Sequence, residues 1–197
     1  MAEDTLSPGR PSLSQRIAGI FQFCRTFIEL TIIISILWWL AIPAYGYAVA
    51  QLSAGILVNA LGVPVEGAWA VPHGILNTES VIVFLFGGRE IPFPIVKLVT
   101  NMAPYLALVL ATPRLGVLRR LVILFTGALI LAIGHVAFVV LAFHFRQDIA
   151  KAPDVPLALA ELYLTLPFVL WIVLAYWGKI ARYLTEEENT AARTGEN

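Results

Sequence analysis

The chain has 197 residues, 59% of them hydrophobic and 13% charged, with a mean hydropathy of +0.81 and a formal net charge of zero. Soluble domains carry charge on about a quarter of their residues, so this composition excludes an ordinary water-soluble globular protein. The balanced charge leaves no basic patch for nucleic acid, and the single cysteine, Cys24, excludes an internal disulfide.

Residues Met1–Gln15 carry Pro8, Gly9, Pro11 and several serines with few apolar side chains. A disordered leader is expected there, becoming interfacial up to residue 26. The first apolar stretch follows at 27–47 and contains Trp38-Trp39. Ala48-Val49-Ala50 offers a small-x-small cleavage pattern behind it. The leading region is long for a secretory signal and Glu29 intrudes at its start, so an uncleaved span is expected.

The segment 48–94 is expected outside the cytoplasmic face. Its first part, Ala48–Gly62, has helical spacing of Gln51, Gly55, Asn59 and Gly62. That spacing suits either a helix along the outer membrane surface or a continuation of the first span. Pro43 is expected to kink either one. Val65–Val71 then alternates large and small residues, Pro72–Ser80 is turn-like, and Val81–Phe86 is a run of strong strand formers closed by Gly87-Gly88. Six apolar residues cannot span as a helix, so a small extracytoplasmic β-element with a pairing partner is expected. Ile91-Pro92-Phe93-Pro94 forces an extended approach to the next span.

Three more apolar stretches occupy 95–112, 121–143 and 157–177. Each of the four is near the ~20 residues a helix needs to cross ~30 Å of hydrocarbon. Arg10, Arg16, Arg25, Arg114, Arg119, Arg120, Lys179, Arg182 and Arg193 fall on one side of these spans; Arg89, Lys97, Arg146 and Lys151 fall on the other. The positive-inside rule then puts both termini in the cytoplasm, with 181–197 as a polar tail. The expected fold is an all-α integral membrane protein: a four-transmembrane-helix bundle over residues 27–180 with a small β-like element outside.

Ionisable groups inside spans are costly unless paired or hydrated. Glu29 stands four residues from Arg25 and can pair with it. A 1.5 Å rise per residue puts His135 ~21 Å from Leu121, too deep to snorkel. Glu161 enters its span from the outer side at a comparable depth. Asn101 and Tyr105 lie one helical turn apart with Pro104 between them, which frees a backbone carbonyl. Together with Arg89 outside the membrane, Asn101, Tyr105, His135 and Glu161 form a candidate polar pocket. Two readings of it stay open: interhelical hydrogen bonding that holds the bundle, or proton handling and substrate contact.

Catalytic signatures are missing. There is no Gly-x-Ser-x-Gly, no His-Glu-x-x-His and no phosphate-binding glycine loop. His73, His135 and His144 are spaced for no metal site, and no cofactor or catalytic residue is expected. Cys24 reads as an interfacial filler.

The segment Asn101-Met102-Ala103-Pro104-Tyr105, the run Leu108–Pro113, Arg119-Arg120, the Gly127-containing span, Leu37-Trp38-Trp39-Leu40 and Leu166–Trp171 together resemble the exosortase H-associated membrane proteins of bacteria. The resemblance covers roughly residues 30–184. It implies a bacterial cytoplasmic (inner) membrane location and work beside an exosortase, a membrane transpeptidase acting on sorting signals. The exosortase cysteine position would fall at about Asn101-Met102, and the basic position at about His135–Phe138. Neither Asn101 nor Met102 supplies a thiol, so the resemblance implies an accessory rather than a transpeptidase.

The expected function is therefore a non-enzymatic accessory of an exosortase-type sorting system, which binds a partner membrane enzyme or a sorting-signal helix. Small residues suited to helix contact include Gly46, Ala50 and Ala54 at spacing four, and Gly127 and Gly134. The alternative is a small transporter or membrane enzyme acting through His135 and Glu161.

Overall fold

The computed structural model describes residues 13–146 and 163–177. It is mostly helical, with one small sheet. Helix α1 (Leu13–Asn59) leads into strands β1 (Val65–Val71), β2 (Val81–Phe86) and β3 (Arg89–Pro94). Two short helices follow, α2 (Val96–Val99) and α3 (Met102–Ala111), then α4 (Val117–His144) and α5 (Tyr163–Trp177).

Among the described residues, two helices are long and apolar enough to cross a membrane, α1 and α4. α1 has 47 residues. At 1.5 Å per residue it is ~70 Å long, more than twice the hydrocarbon thickness. It begins at Leu13, so the leader expected over 1–26 is helical from residue 13 onward. Leu13, Ile17, Ile20 and Phe21 recur at helical spacing there, and no proline interrupts them. α1 also absorbs the segment after the first span: of the two arrangements open for 48–62, the structure takes continuation, to Asn59, with Pro43 inside the helix. Arg25 Nε donates to Glu29 at 2.8 Å, the pairing implied by their spacing.

The stretch 95–112 is not one span-length helix. It is divided into α2 and α3 around Thr100-Asn101, and Val96–Ala111 is shorter than the ~20 residues a crossing needs. Pro104 has no N–H to give the Thr100 carbonyl, and that carbonyl instead accepts from Ala103 N at 3.3 Å. α5 is likewise a shorter apolar helix, and the part of the expected fourth span before Tyr163 lies outside the described residues. The expected tail 181–197 lies outside them too.

The β-element is a three-stranded antiparallel sheet in the order β1-β2-β3. Ile91–Pro94, expected only as an extended approach, pairs with Val81–Phe84 as part of β3. Pro92 and Pro94 cannot donate, which suits an edge strand. Gly87 and Gly88 take φ of +59° and +70°, and this left-handed pair closes the two-residue β2–β3 turn. The sheet does not stand apart from the helices. Ile82 and Phe84 share one buried cluster with Ile42, Val49, Ala50 and Leu57 of α1 and Val139, Val140 and Phe143 of α4. Gly46 faces β1 here, where an added Cβ would lie in ordinary van der Waals contact with Ala70.

A second cluster joins α3, α4 and α5 through Met102, Tyr105, Val109, Ile123, Leu131 and Ala175. Tyr105 is fully buried there, and its hydroxyl donates to Ile123 O at 2.5 Å. Its ring lies over Gly127, where an added Cβ would collide with it. Gly127→Ala is expected to destabilise the protein by about 1–3 kcal/mol through overpacking. Thermal unfolding in detergent checks this, and combining it with Tyr105→Leu should cost less than the two single changes summed.

Candidate functional site

Tyr45, Asn101, His135 and Tyr163 meet where α1, α3, α4 and α5 converge. A tyrosine hydroxyl, an amide and an imidazole in apolar surroundings each require a partner, and each finds one in this group. His135 is 0% exposed. Its Nδ1 lies 2.7 Å from the Tyr45 hydroxyl and its Nε2 lies 2.9 Å from Asn101 Oδ1. Asn101 Nδ2 donates to Tyr163 O at 3.1 Å, and the Tyr163 hydroxyl donates to Gly134 O.

The hydrogen-bond pattern assigns the tautomer. Asn101 uses its NH2 on a carbonyl, so its oxygen faces the ring, and an amide oxygen only accepts. His135 Nε2 therefore carries the proton. Nδ1 is left as an acceptor and takes the Tyr45 hydroxyl hydrogen. A second proton on the ring would occupy Nδ1 and force that hydroxyl to turn from donor to acceptor. Ring packing holds the geometry: the Tyr163 ring is stacked on His135 at 6.2 Å, Tyr45 meets His135 edge-on at 5.9 Å, and Trp38 lies against Tyr45 at 5.0 Å. Trp38 Nε1 is itself committed to Val99 O at 3.0 Å.

The residues singled out from the sequence do not all meet. Asn101 and His135 are brought together by a direct hydrogen bond. Tyr105, one turn from Asn101, turns its hydroxyl the other way to Ile123 O. Arg89 starts β3 at the exposed β2–β3 turn, paired in register with Phe86. Glu161, the expected partner of His135, lies outside the described residues. Tyr45 and Tyr163 were not singled out, although a hydroxyl within an apolar helix always demands a partner and is a readable signal.

A second polar knot lies at the opposite end of α3. Thr112 is its hub: its hydroxyl donates to Leu108 O at 2.6 Å and accepts from Trp171 Nε1 at 2.7 Å. Arg120 donates to Thr112 O at 3.0 Å, and Arg119 donates to Ala175 O at 3.1 Å. Phe23 of α1 stacks on Trp171 at 5.9 Å, which brings the start of α1 to this end as well.

Beside Tyr45 an open groove of about 340 Å³ runs between α1 and α4. Its walls include Val49, Leu52, Ile56, Leu129 and Ile133. Apart from Tyr45 the lining side chains are aliphatic, and the Tyr45 hydroxyl is already spent on His135. Among the described residues no three His, Cys, Asp or Glu side chains gather as a metal site.

Comparison with family models, with curated proteins and with solved structures found no match.

The Tyr45–His135 bond is testable by a double-mutant cycle. Tyr45→Phe and His135→Leu should each lower thermal stability in detergent, with a coupling of ~0.6 kcal/mol and at most ~1.7 kcal/mol. Strictly additive losses would contradict the bond.

Proposed function

We propose that this chain is a non-enzymatic, multi-pass protein of the bacterial cytoplasmic membrane that holds an apolar helix of a partner. The partner is an exosortase-type membrane enzyme or the sorting-signal helix of its substrate. The observation that carries this reading is the groove between α1 and α4: apolar, open, and of a size to take several side chains of a facing helix. His135 beside it has both nitrogens engaged, which supports a role in fixing the groove's walls rather than in chemistry.

In this reading the chain crosses four times, with both termini in the cytoplasm and the sheet on the outer side. Arg119 and Arg120 gather at the Trp171 end while Arg89, Glu90 and Arg146 lie toward the sheet, and the basic collar of the first end supports the orientation. The short helices α3 and α5 pack against α4, which supports their crossing as a group rather than singly. The alternative, a small transporter or membrane enzyme, draws on the fact that Tyr45 both lines the groove and bonds His135. It requires that the imidazole exchange these bonds for a substrate.

Two measurements test the proposal. In a Cys24→Ser background, Glu90→Cys should label from outside intact cells and Pro113→Cys should not; the reverse pattern refutes the orientation. A photo-crosslinking residue at Ile133 should capture an apolar segment of a membrane protein, identified by mass spectrometry. Filling the groove with Ala132→Phe should abolish that adduct without lowering thermal stability. Adducts to lipid alone would overturn the helix-binding reading. Loss of a transport or processing activity in His135→Leu, with the adduct retained, would favour the alternative.

A further inference from the structure

The corner between α3 and α4, residues 112–116, gathers positive charge with no carboxylate opposite it among the described residues. Arg114 lies in it at φ 62°, exposed and without a hydrogen-bond partner there. Arg119 and Arg120 follow in the first turn of α4, where no acidic residue stands. Arg119 is exposed and spends Nη2 on Ala175 O at 3.1 Å, so its guanidinium is held in place with Nε and Nη1 still to be used. Arg120 is anchored behind it on Thr112 O at 3.0 Å. The carboxylate side chains among the described residues are Glu29, Glu66, Glu79 and Glu90. Glu29 is paired with Arg25, Glu66 accepts from Gly88 N, Glu79 faces His73, and Glu90 belongs to β3. None of them answers Arg114 or Arg119.

A bare apolar face rises from the same corner. Leu118, Leu121, Val122 and Phe125 recur at helical spacing, so they share one side of α4 over ~10 Å. All four are exposed, Leu118 at 77% and Phe125 at 73%. Arg119 flanks this side at its lower end, next to Leu118 and one turn from Val122. With the span bounds at 121–143, Leu121, Val122 and Phe125 stand at acyl-chain depth while Arg114 and Arg119 stand at headgroup depth. A ligand that brings an anion to the lower level and hydrocarbon to the upper one is an anionic phospholipid. Guanidiniums meet phosphate oxygens through paired N–H donors, and basic groups at helix ends on the cytoplasmic side suit lipid headgroups. A free phosphate, or the acidic run Glu186-Glu187-Glu188 of this chain, would leave the apolar face unused.

We propose that the α3–α4 corner is a binding site for an anionic phospholipid of the inner leaflet: Arg114 and Arg119 hold its phosphodiester, and an acyl chain lies along Leu118, Leu121, Val122 and Phe125. This rests on the reading that the chain crosses the membrane with this corner on the cytoplasmic side. Arg119 and Arg120 also bond α5 and α3, so a phosphate on the corner bears on the knot that joins three helix ends.

Native mass spectrometry of the full-length protein in a neutral detergent tests this, with phosphatidylglycerol and phosphatidylcholine of identical acyl chains added in turn. One phosphatidylglycerol should be retained at a concentration where phosphatidylcholine is not. Arg114→Gln removes no bond within the fold, and it should raise the phosphatidylglycerol concentration needed about fivefold; Arg114→Gln with Arg119→Gln should raise it about 25-fold. Arg89→Gln, at the sheet end, should change nothing. Equal retention of the two lipids, or unchanged retention in Arg114→Gln and in the double variant, overturns the headgroup site while the membrane reading stands. Displacement of the lipid by inorganic phosphate at equal concentration assigns the corner to a free anion and overturns the proposal. Retention that appears only after Glu186, Glu187 and Glu188 are changed to Gln also overturns it, because the chain's own acidic run then holds the arginines. A protein that stays monodisperse without detergent refutes the membrane reading itself.

Discussion

An imidazole with no access to water has to find one donor and one acceptor among its neighbours, or the fold carries a penalty of several kcal/mol. His135 meets that demand with groups from two other helices, Tyr45 of α1 and Asn101 at the head of α3, while Asn101 passes the connection to Tyr163 of α5. Four helices are thereby fixed in depth and rotation at one point. Within the membrane proposed above, the hydrophobic effect would not draw helices together, and such directional contacts and close packing would determine which faces meet. The division of 95–112 into α2 and α3 follows from the same point. Asn101 sits at the break, where its side chain is free to turn toward α4.

Close approach is the second requirement, and the small residues supply it. Gly127 admits the Tyr105 ring, Gly134 lies beside Tyr163, and Gly46 and Ala50 admit the sheet. These positions were candidates for contact with a partner. In the structure they serve contacts within the chain, and an aliphatic groove next to Tyr45 stays open. That groove is shaped by α1 and α4, whose relative position His135 holds. The polar network and the groove are thus parts of one arrangement.

The two ends of the molecule differ in kind. One carries Thr112, Arg119, Arg120 and Trp171 in a hydrogen-bonded knot at the helix ends. The other carries the sheet, with Arg146 over the rings of Phe86 and Phe143 at 4.7 and 4.8 Å. Arg119 and Arg120 donate to backbone carbonyls, and Arg146 covers the two rings. Such partners limit the cost of desolvating a guanidinium. The sheet shares its buried cluster with α1 and α4, so it is continuous with the bundle rather than a separate module.

Composition and hydropathy alone identified the apolar helices, because apolar runs of about span length are read without knowing what they touch. Strand formers between glycines and prolines likewise announced β2, and the alternation in Val65–Val71 announced β1, since both signals are local. His135 and Asn101 were legible as polar groups in the wrong solvent. Their partners were not. Across their separation of 90 positions Tyr45 and His135 carry no mark of the bond, because a hydrogen bond across helices depends on rotation and depth, which packing determines. Helix lengths also escaped the sequence: hydropathy marks where water is disfavoured, whereas α1 continues from Leu13 to Asn59 because backbone hydrogen bonding does not stop at a change in polarity. The place of the sheet was decided only in three dimensions. Gly46, Ala50 and Ala54 show that something lies close to α1, and only the tertiary structure reveals that it is β1, since a flat small-residue face accepts a strand as readily as a helix.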